Sequence, residues 1–256
     1  MHLVDSDLHR QDPLDAGLES LRAAEPDHEQ AVYWFRVAAD AGDAEGLALL
    51  AFCQLEGLGL PRDPAQARER LERASAQGSL TAKFHLGRML VAGWGGAADA
   101  ARGIALYTAA AAQGHADATF NLAACMDAGW GCQADRLGAK ALFLRARALG
   151  CRLKAPGLRI RQRELDAVRD LARRFQHGGD QLAHLIEERQ HEIVLMQELV
   201  RHPSRKARMS RRQRSRLFRM GGATALITGA VAALARLFAR RGGHPGTEDA
   251  GPTSIA

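Results

Sequence analysis

Residues 79–114 read SLTAKFHLGRMLVAGWGGAADAARGIALYTAAAAQG, and the flanking segments 43–78 and 115–150 repeat the pattern. The glycines set the phase. Gly42, Gly78, Gly114 and Gly150 lie 36 residues apart, as do Gly57, Gly93 and Gly129, and Gly59, Gly95 and Gly131. Leu14, Leu50, Leu86 and Leu122 follow the same interval, with Asp27, Asp63, Asp99 and Asp135. So do Ala31, Ala67, Gly103 and Ala139, then Phe35, Leu71, Tyr107 and Phe143, then Ala38, Ala74, Ala110 and Ala146. A period in this range marks a stacked repeat array, in which each unit buries its apolar face only against its neighbours.

One unit shows why these residue types recur. Ala44 to Glu56 reads as a first helix with Gly46, Ala48, Leu50, Ala51 and Cys53 inward. Gly57-Leu58-Gly59 ends it, because glycine enters the left-handed conformation without a Cβ penalty. Asp63 as N-cap and Pro64 at the first helical position start a second helix, which Gly78 closes. Alanines at inner positions let the paired helices approach closely.

These residues resemble the Sel1-like repeat family, a relative of the tetratricopeptide helix-pair repeats. The likeness rests on Leu86-Gly87, Gly93-Trp94-Gly95, Asp99 and Ala111-Ala112-Gln113-Gly114. The family's usual tyrosine four residues after the leucine is replaced by Gln54, Leu90 and Met126. The resemblance implies an all-α fold: a right-handed α-solenoid of helix pairs that acts as a protein–protein interaction scaffold. Three units span 43–150, and 1–42 reads as a degenerate leading unit. There Leu14 and Asp27 hold phase, while Leu21 and Ala23 replace the turn glycines.

Charge divides the chain. Residues 1–150 carry 14 Lys/Arg and 19 Asp/Glu, a balance of −5; the remainder carries 21 and 10, or +11, giving the net +6. Residues 151–200 read as C-terminal capping helices, with Leu165, Val168, Leu171, Ala172 and Phe175 on one stripe and Leu182, Ile186, Ile193, Met196 and Val200 on another. The second stripe packs on the preceding helices or forms a short self-associating coil, and Arg189 and Glu192 near the seam weaken the coil.

Residues 201–219 hold nine Lys/Arg and no acid: Arg201, Arg205, Lys206, Arg208, Arg211, Arg212, Arg214, Arg216 and Arg219. Met220 to Ala235 follows without a charge. At helical rise that run is about 24 Å, short of a hydrocarbon core of about 30 Å. Snorkelling stems of Arg219 and Arg236 extend it. Segment 220–239 is therefore expected to be a transmembrane helix, a tail anchor with the basic block held at the anionic cytoplasmic surface and the repeats in the cytoplasm. Residues 240–256 are Gly/Pro-rich and expected to be disordered. Nucleic acid is the rival partner for the basic block, yet Phe218 is its only aromatic and no recognition fold is visible. The alternative function is a soluble protein whose tail binds nucleic acid or an acidic partner; it stays cytoplasmic if 220–239 does not insert.

Other chemistries find little support. Cys53 and Cys125 are two periods apart and read as core thiols, and Met1 to Asp7 has no signal-peptide character. His177, His184 and His191 are too widely spaced for one metal ion, and no cofactor is expected. No phosphate loop, paired carboxylates or nucleophile motif appears, so no enzymatic activity is expected. The positions that vary between units instead fall on one side of each first helix, in steps of four, three and four. They form a stripe of Glu45, Leu49, Phe52 and Glu56, then Thr81, His85 and Arg88, then Asp117 and Asn121. In helix-pair solenoids this side lines the concave groove. A peptide or partner helix is expected there, with Leu49 and Phe52 as apolar anchors and His85, Arg88 and Asn121 as polar readers. The alternative leaves Leu49 and Phe52 covered by the leading unit or the tail helix.

Overall fold

The computed structural model describes residues 12–155, 160–176 and 180–201. They form helices α1 (Pro13–Arg22), α2 (His28–Asp40), α3 (Ala44–Glu56), α4 (Pro64–Ala76), α5 (Leu80–Ala92), α6 (Ala100–Ala112), α7 (Ala116–Ala128), α8 (Arg136–Ala148), α9 (Leu165–Gln176) and α10 (Asp180–Arg201), with a 3₁₀ turn at Gln162–Glu164 before α9. No strand occurs among the described residues. Each second helix packs on its own first helix and on the first helix of the next unit: α4 touches α3 and α5, and α6 touches α5 and α7.

Caps fix the boundaries. Gly57, Gly93 and Gly129 take φ of 79°, 73° and 75°, and their N–H groups donate to the carbonyls of Cys53, Met89 and Cys125. Asp63, Asp99 and Asp135 then accept from the N–H of Gln66, Arg102 and Gly138 at 3.0 Å each. The second turn glycine has a tighter role. A Cβ on Gly59, Gly95 or Gly131 would collide with the backbone of His28, Pro64 or Ala100, the first residue of α2, α4 or α6. Every turn therefore stacks on the start of the preceding unit's second helix, and the three turns form a row along one edge.

The core alternates large and small side chains. Leu71, Leu86, Leu90, Leu122 and Met126 are fully buried, each contributing roughly 1.5–3 kcal/mol. Gly87 lies under the ring of Tyr107, and Gly17 lies under Phe35 in the same way. Burial pushes the Cys53 thiol up to about 11 and that of Cys125 up to about 12, as expected of protonated core thiols. All four cysteines are free.

The leading unit corrects one expectation. Leu14 is in phase by count but not in structure. The α1–α2 connection covers residues 23–27, whereas its counterpart between α3 and α4 covers 57–63, two residues more. Only α1 shifts in consequence, so Ala16-Gly17 stands where Leu50-Ala51 and Leu86-Gly87 stand. Two hydrogen-bonded pairs establish the shift: Ser20 bonds Gln30 at 3.1 Å, and Gln54 bonds Gln66 at 2.6 Å. Gln30 and Gln66 are one period apart, but Ser20 and Gln54 are two residues short of it.

At the other end the phase continues into Cys151, buried two periods after Ser79. The array then stops. Helix α9 runs in the direction of α8, with Lys140 paired to Glu164 near their starts and Arg145 donating to the Phe175 carbonyl near their ends. Helix α10 returns antiparallel, touching α9 and α6, with Leu182 and Ile186 buried and Ile193 and Met196 half-buried. Its stripe packs on the preceding helices. Of the expected basic segment 201–219 only Arg201 is described; its remainder, the expected membrane helix 220–239 and tail 240–256 lie outside the described residues, as do residues 1–11 and the side chain of Val200. Among the described residues no helix is long and apolar enough to cross a membrane.

Candidate functional site

Stacking brings the variable positions of neighbouring first helices into contact, one period apart. Glu45 of α3 accepts from Ser79 Oγ at 2.5 Å and from the Thr81 hydroxyl. The rings of Phe52 and His85 lie 4.8 Å apart, and Arg88 Nη1 stands 4.0 Å from Glu56 Oε1. Leu49 is half-buried against the leading unit's cluster. Asn121 Nδ2 donates to Tyr107 Oη at 3.3 Å, while burial and then the Asp117 carboxylate hold the Cys151 thiol protonated.

These contacts divide the expected site into two parts. His85 and Asn121 are turned inward. His85 is only 9% exposed, wedged between Phe52 and Phe84, and its Nδ1 is buried without a partner. Burial, then Arg88 and His115, hold its imidazole down to about 3, so it is neutral across the physiological range. Phe52, Arg88 and Glu56 remain as the accessible part, with Glu45 and Thr81 engaged with each other at one end of the stripe.

Three residues outside the expected set complete the surface. Phe84 stacks on His115 at 5.0 Å, and His115 Nδ1 caps α7 by accepting from the Ala118 N–H at 3.2 Å. An aromatic file thus crosses α3, α5 and the start of α7: Phe52, His85, Phe84, His115. Trp94, at the tip of the Gly93–Gly95 turn, lies 5.5 Å from the Arg88 guanidinium, which also stands 5.9 Å from Phe84. The two rings hold the cation in a fixed place, a favourable cation–π geometry. A signal for Trp94 existed in the sequence: the middle turn position is aromatic in two of three units, as Trp94 and Trp130.

Among the described residues no cluster of three or more His, Cys, Asp or Glu could hold a metal ion, and His184 and His191 are exposed on α10. The surface presents aromatic faces, one positioned cation and a carboxylate, which suits recognition of another chain.

Stacked helix pairs closed by glycine turns, with variable residues gathered on the first helices, define a helical repeat protein of the interaction type. The Sel1 repeat sequence profile matches residues 17–43, 44–79, 81–115 and 116–151, more than half the sequence, and the chain belongs to the Sel1 repeat family. The first match begins within α1, so the shifted leading helix is a true member of the array. Among solved structures, a Sel1 repeat protein from Oxalobacter formigenes is 25% identical over 55% of this chain and 55% of that one, with a TM-score of 0.49. A protective antigen of uropathogenic Escherichia coli strains displaying an SLR fold is 28% identical over 54% of this chain and 30% of that one, also at 0.49. The chain spans about half of the first and under a third of the second. No curated protein matches the sequence.

Proposed function

We propose that the protein is a membrane-tethered adaptor whose repeats hold a partner peptide or helix on the first-helix stripe. Family membership supports a protein-interaction scaffold. The observation that carries the binding site is the meeting of Phe52, Arg88, Glu56 and Trp94 across two units, with Arg88 fixed against aromatic faces. An apolar side chain of the partner packs on Phe52, and a polar one meets Arg88. The tether rests on the sequence from Arg201 onward, with its nine Lys/Arg before an uncharged run. It keeps the repeats in the cytoplasm and the basic block at the anionic leaflet.

Two experiments test the halves separately. Charge reversal Arg88→Glu should abolish co-purification of a partner that the wild-type protein captures from its own host; unchanged capture overturns the stripe as the site. Alkaline carbonate extraction of host membranes should leave the protein in the pellet, and release into the supernatant rejects the tether.

A further inference from the structure

The turn edge of the array carries large apolar side chains facing solvent. Trp130 is 53% exposed and Trp94 38%, at equivalent tips one unit apart. The turns themselves are poor in charge: Met89 to Ala98 contains none, nor does Ala128 to Ala134. The stacking of each turn on the start of the preceding second helix places these tips in one row. The same edge receives the end of α10. Gln190 accepts from the Gln133 N–H at 2.8 Å, and Gln197 donates to Gln133 Oε1 at 3.3 Å, beside the Trp130 turn. Arg201 follows one helical turn later, roughly 6 Å further on. The exposed tryptophans and the point of departure of the basic segment are therefore on the same side of the described fold.

We infer that this edge faces the bilayer, with Trp130 seated in the headgroup region of the membrane to which the chain is tethered and Trp94 at the border between this edge and the first-helix stripe. The inference rests on the tethered reading. Indole is suited to that depth, since its flat apolar ring carries one N–H that remains hydrated. At the Trp130 tip a protein partner would find little to match, for that ring stands between Gly129 and Gly131 in a turn without charge. Lipid needs no shape complement, and α10 ends at Arg201 on the side of the Trp130 turn, so the sequence that carries the next eight Lys/Arg begins at this edge. The stripe on the first helices meets this edge where the Arg88 guanidinium stands 5.5 Å from the Trp94 ring.

The chain has only Trp34, Trp94 and Trp130, so fluorescence can test the placement directly. Full-length protein carrying Trp34→Phe is floated with vesicles of phosphatidylcholine and phosphatidylserine, then with vesicles in which the lipids are brominated near the headgroup end of the acyl chain. The expected result is a blue shift of emission on binding and quenching by bromolipid, part of the quenching being lost in Trp130→Gln. Circular dichroism of Trp130→Gln should match the parent, because no ring contact holds Trp130. As a control, Tyr33→Gln on the body of α2, 60% exposed, should leave the quenching unchanged. Protein that floats with unshifted, unquenched tryptophan overturns the edge-on placement and leaves the tether standing. Protein that does not float at all sinks both.

Discussion

Asp99 and Asp135 occupy the same position in successive units and make the same 3.0 Å capping bond, yet one is exposed and the other 4% exposed. The difference is the neighbour. Beside Asp99 the next unit supplies a turn, in which Gly131 packs on Ala100. Beside Asp135 no further unit follows, and α10 lies there instead, with Arg189 gripping both carboxylate oxygens while Gln190 takes the Gln133 N–H. Gly138 leaves room for this, since a Cβ there would run into Asp135 Oδ2. Inside the array a repeated backbone closes each unit; at its end a single ion pair does so.

Removing one partner of a buried pair strands the other, at a cost of about 3–5 kcal/mol. Arg189→Ala should therefore give the largest loss among these variants, read as a fall in the urea midpoint. It should also raise hydrogen exchange in α10 first. Exchange in α10 no faster than in α4 would show that the ion pair does not hold the end.

The interior is held by glycine, and its turns are not alike. Gly78 has φ of 102° with nothing near its Cβ position, whereas Gly95 has φ of 70° and abuts the Pro64 backbone. Gly78→Ala should cost about 1–2 kcal/mol for left-handed strain alone. Gly95→Ala adds a backbone clash and should cost roughly 3 kcal/mol, near the upper end for such strained sites. Equal urea midpoints for the two variants would refute stacking of the turns.

This contrast also explains how much the sequence disclosed. Boundaries such as Ala44–Glu56 were legible because a left-handed glycine and an N-cap aspartate are local requirements that any such unit must meet. The leading unit misled because Leu14 and Asp27 keep their count while a two-residue-shorter connection moves α1 alone. Periodicity puts His85 among the variable positions of α5, but its depth depends on the bulk of Phe52 and Phe84, which periodicity does not report. Arg189 looked like a flaw in an apolar seam. Its partner is 54 residues away, and no local pattern announces a contact of that kind.

The burial of His85 has a consequence for pH. With its folded value held to about 3 against an ordinary 6.5, the folded state refuses a proton that the unfolded state accepts. Its contribution is complete above about 6.5 and is lost as pH falls toward 3. Between pH 6.5 and 5 that amounts to about 2 kcal/mol. Wild-type protein should lose this stability and His85→Phe should not. Parallel urea midpoints for the two proteins across that interval would mean that His85 is accessible to solvent.

The smallest effect belongs to Asp99→Ala, an exposed cap whose loss should cost about 1 kcal/mol. Its value lies in subtraction. Asp135→Ala removes an equivalent cap and also the Arg189 contact, so the excess over Asp99→Ala isolates what α10 contributes. Adding Arg189→Ala to Asp135→Ala should then recover part of the loss, because no unpaired guanidinium remains buried. If Asp99→Ala and Asp135→Ala shift the urea midpoint equally, the ion pair adds no stability. The end of the array would then be closed by the apolar packing of Leu182 and Ile186 alone.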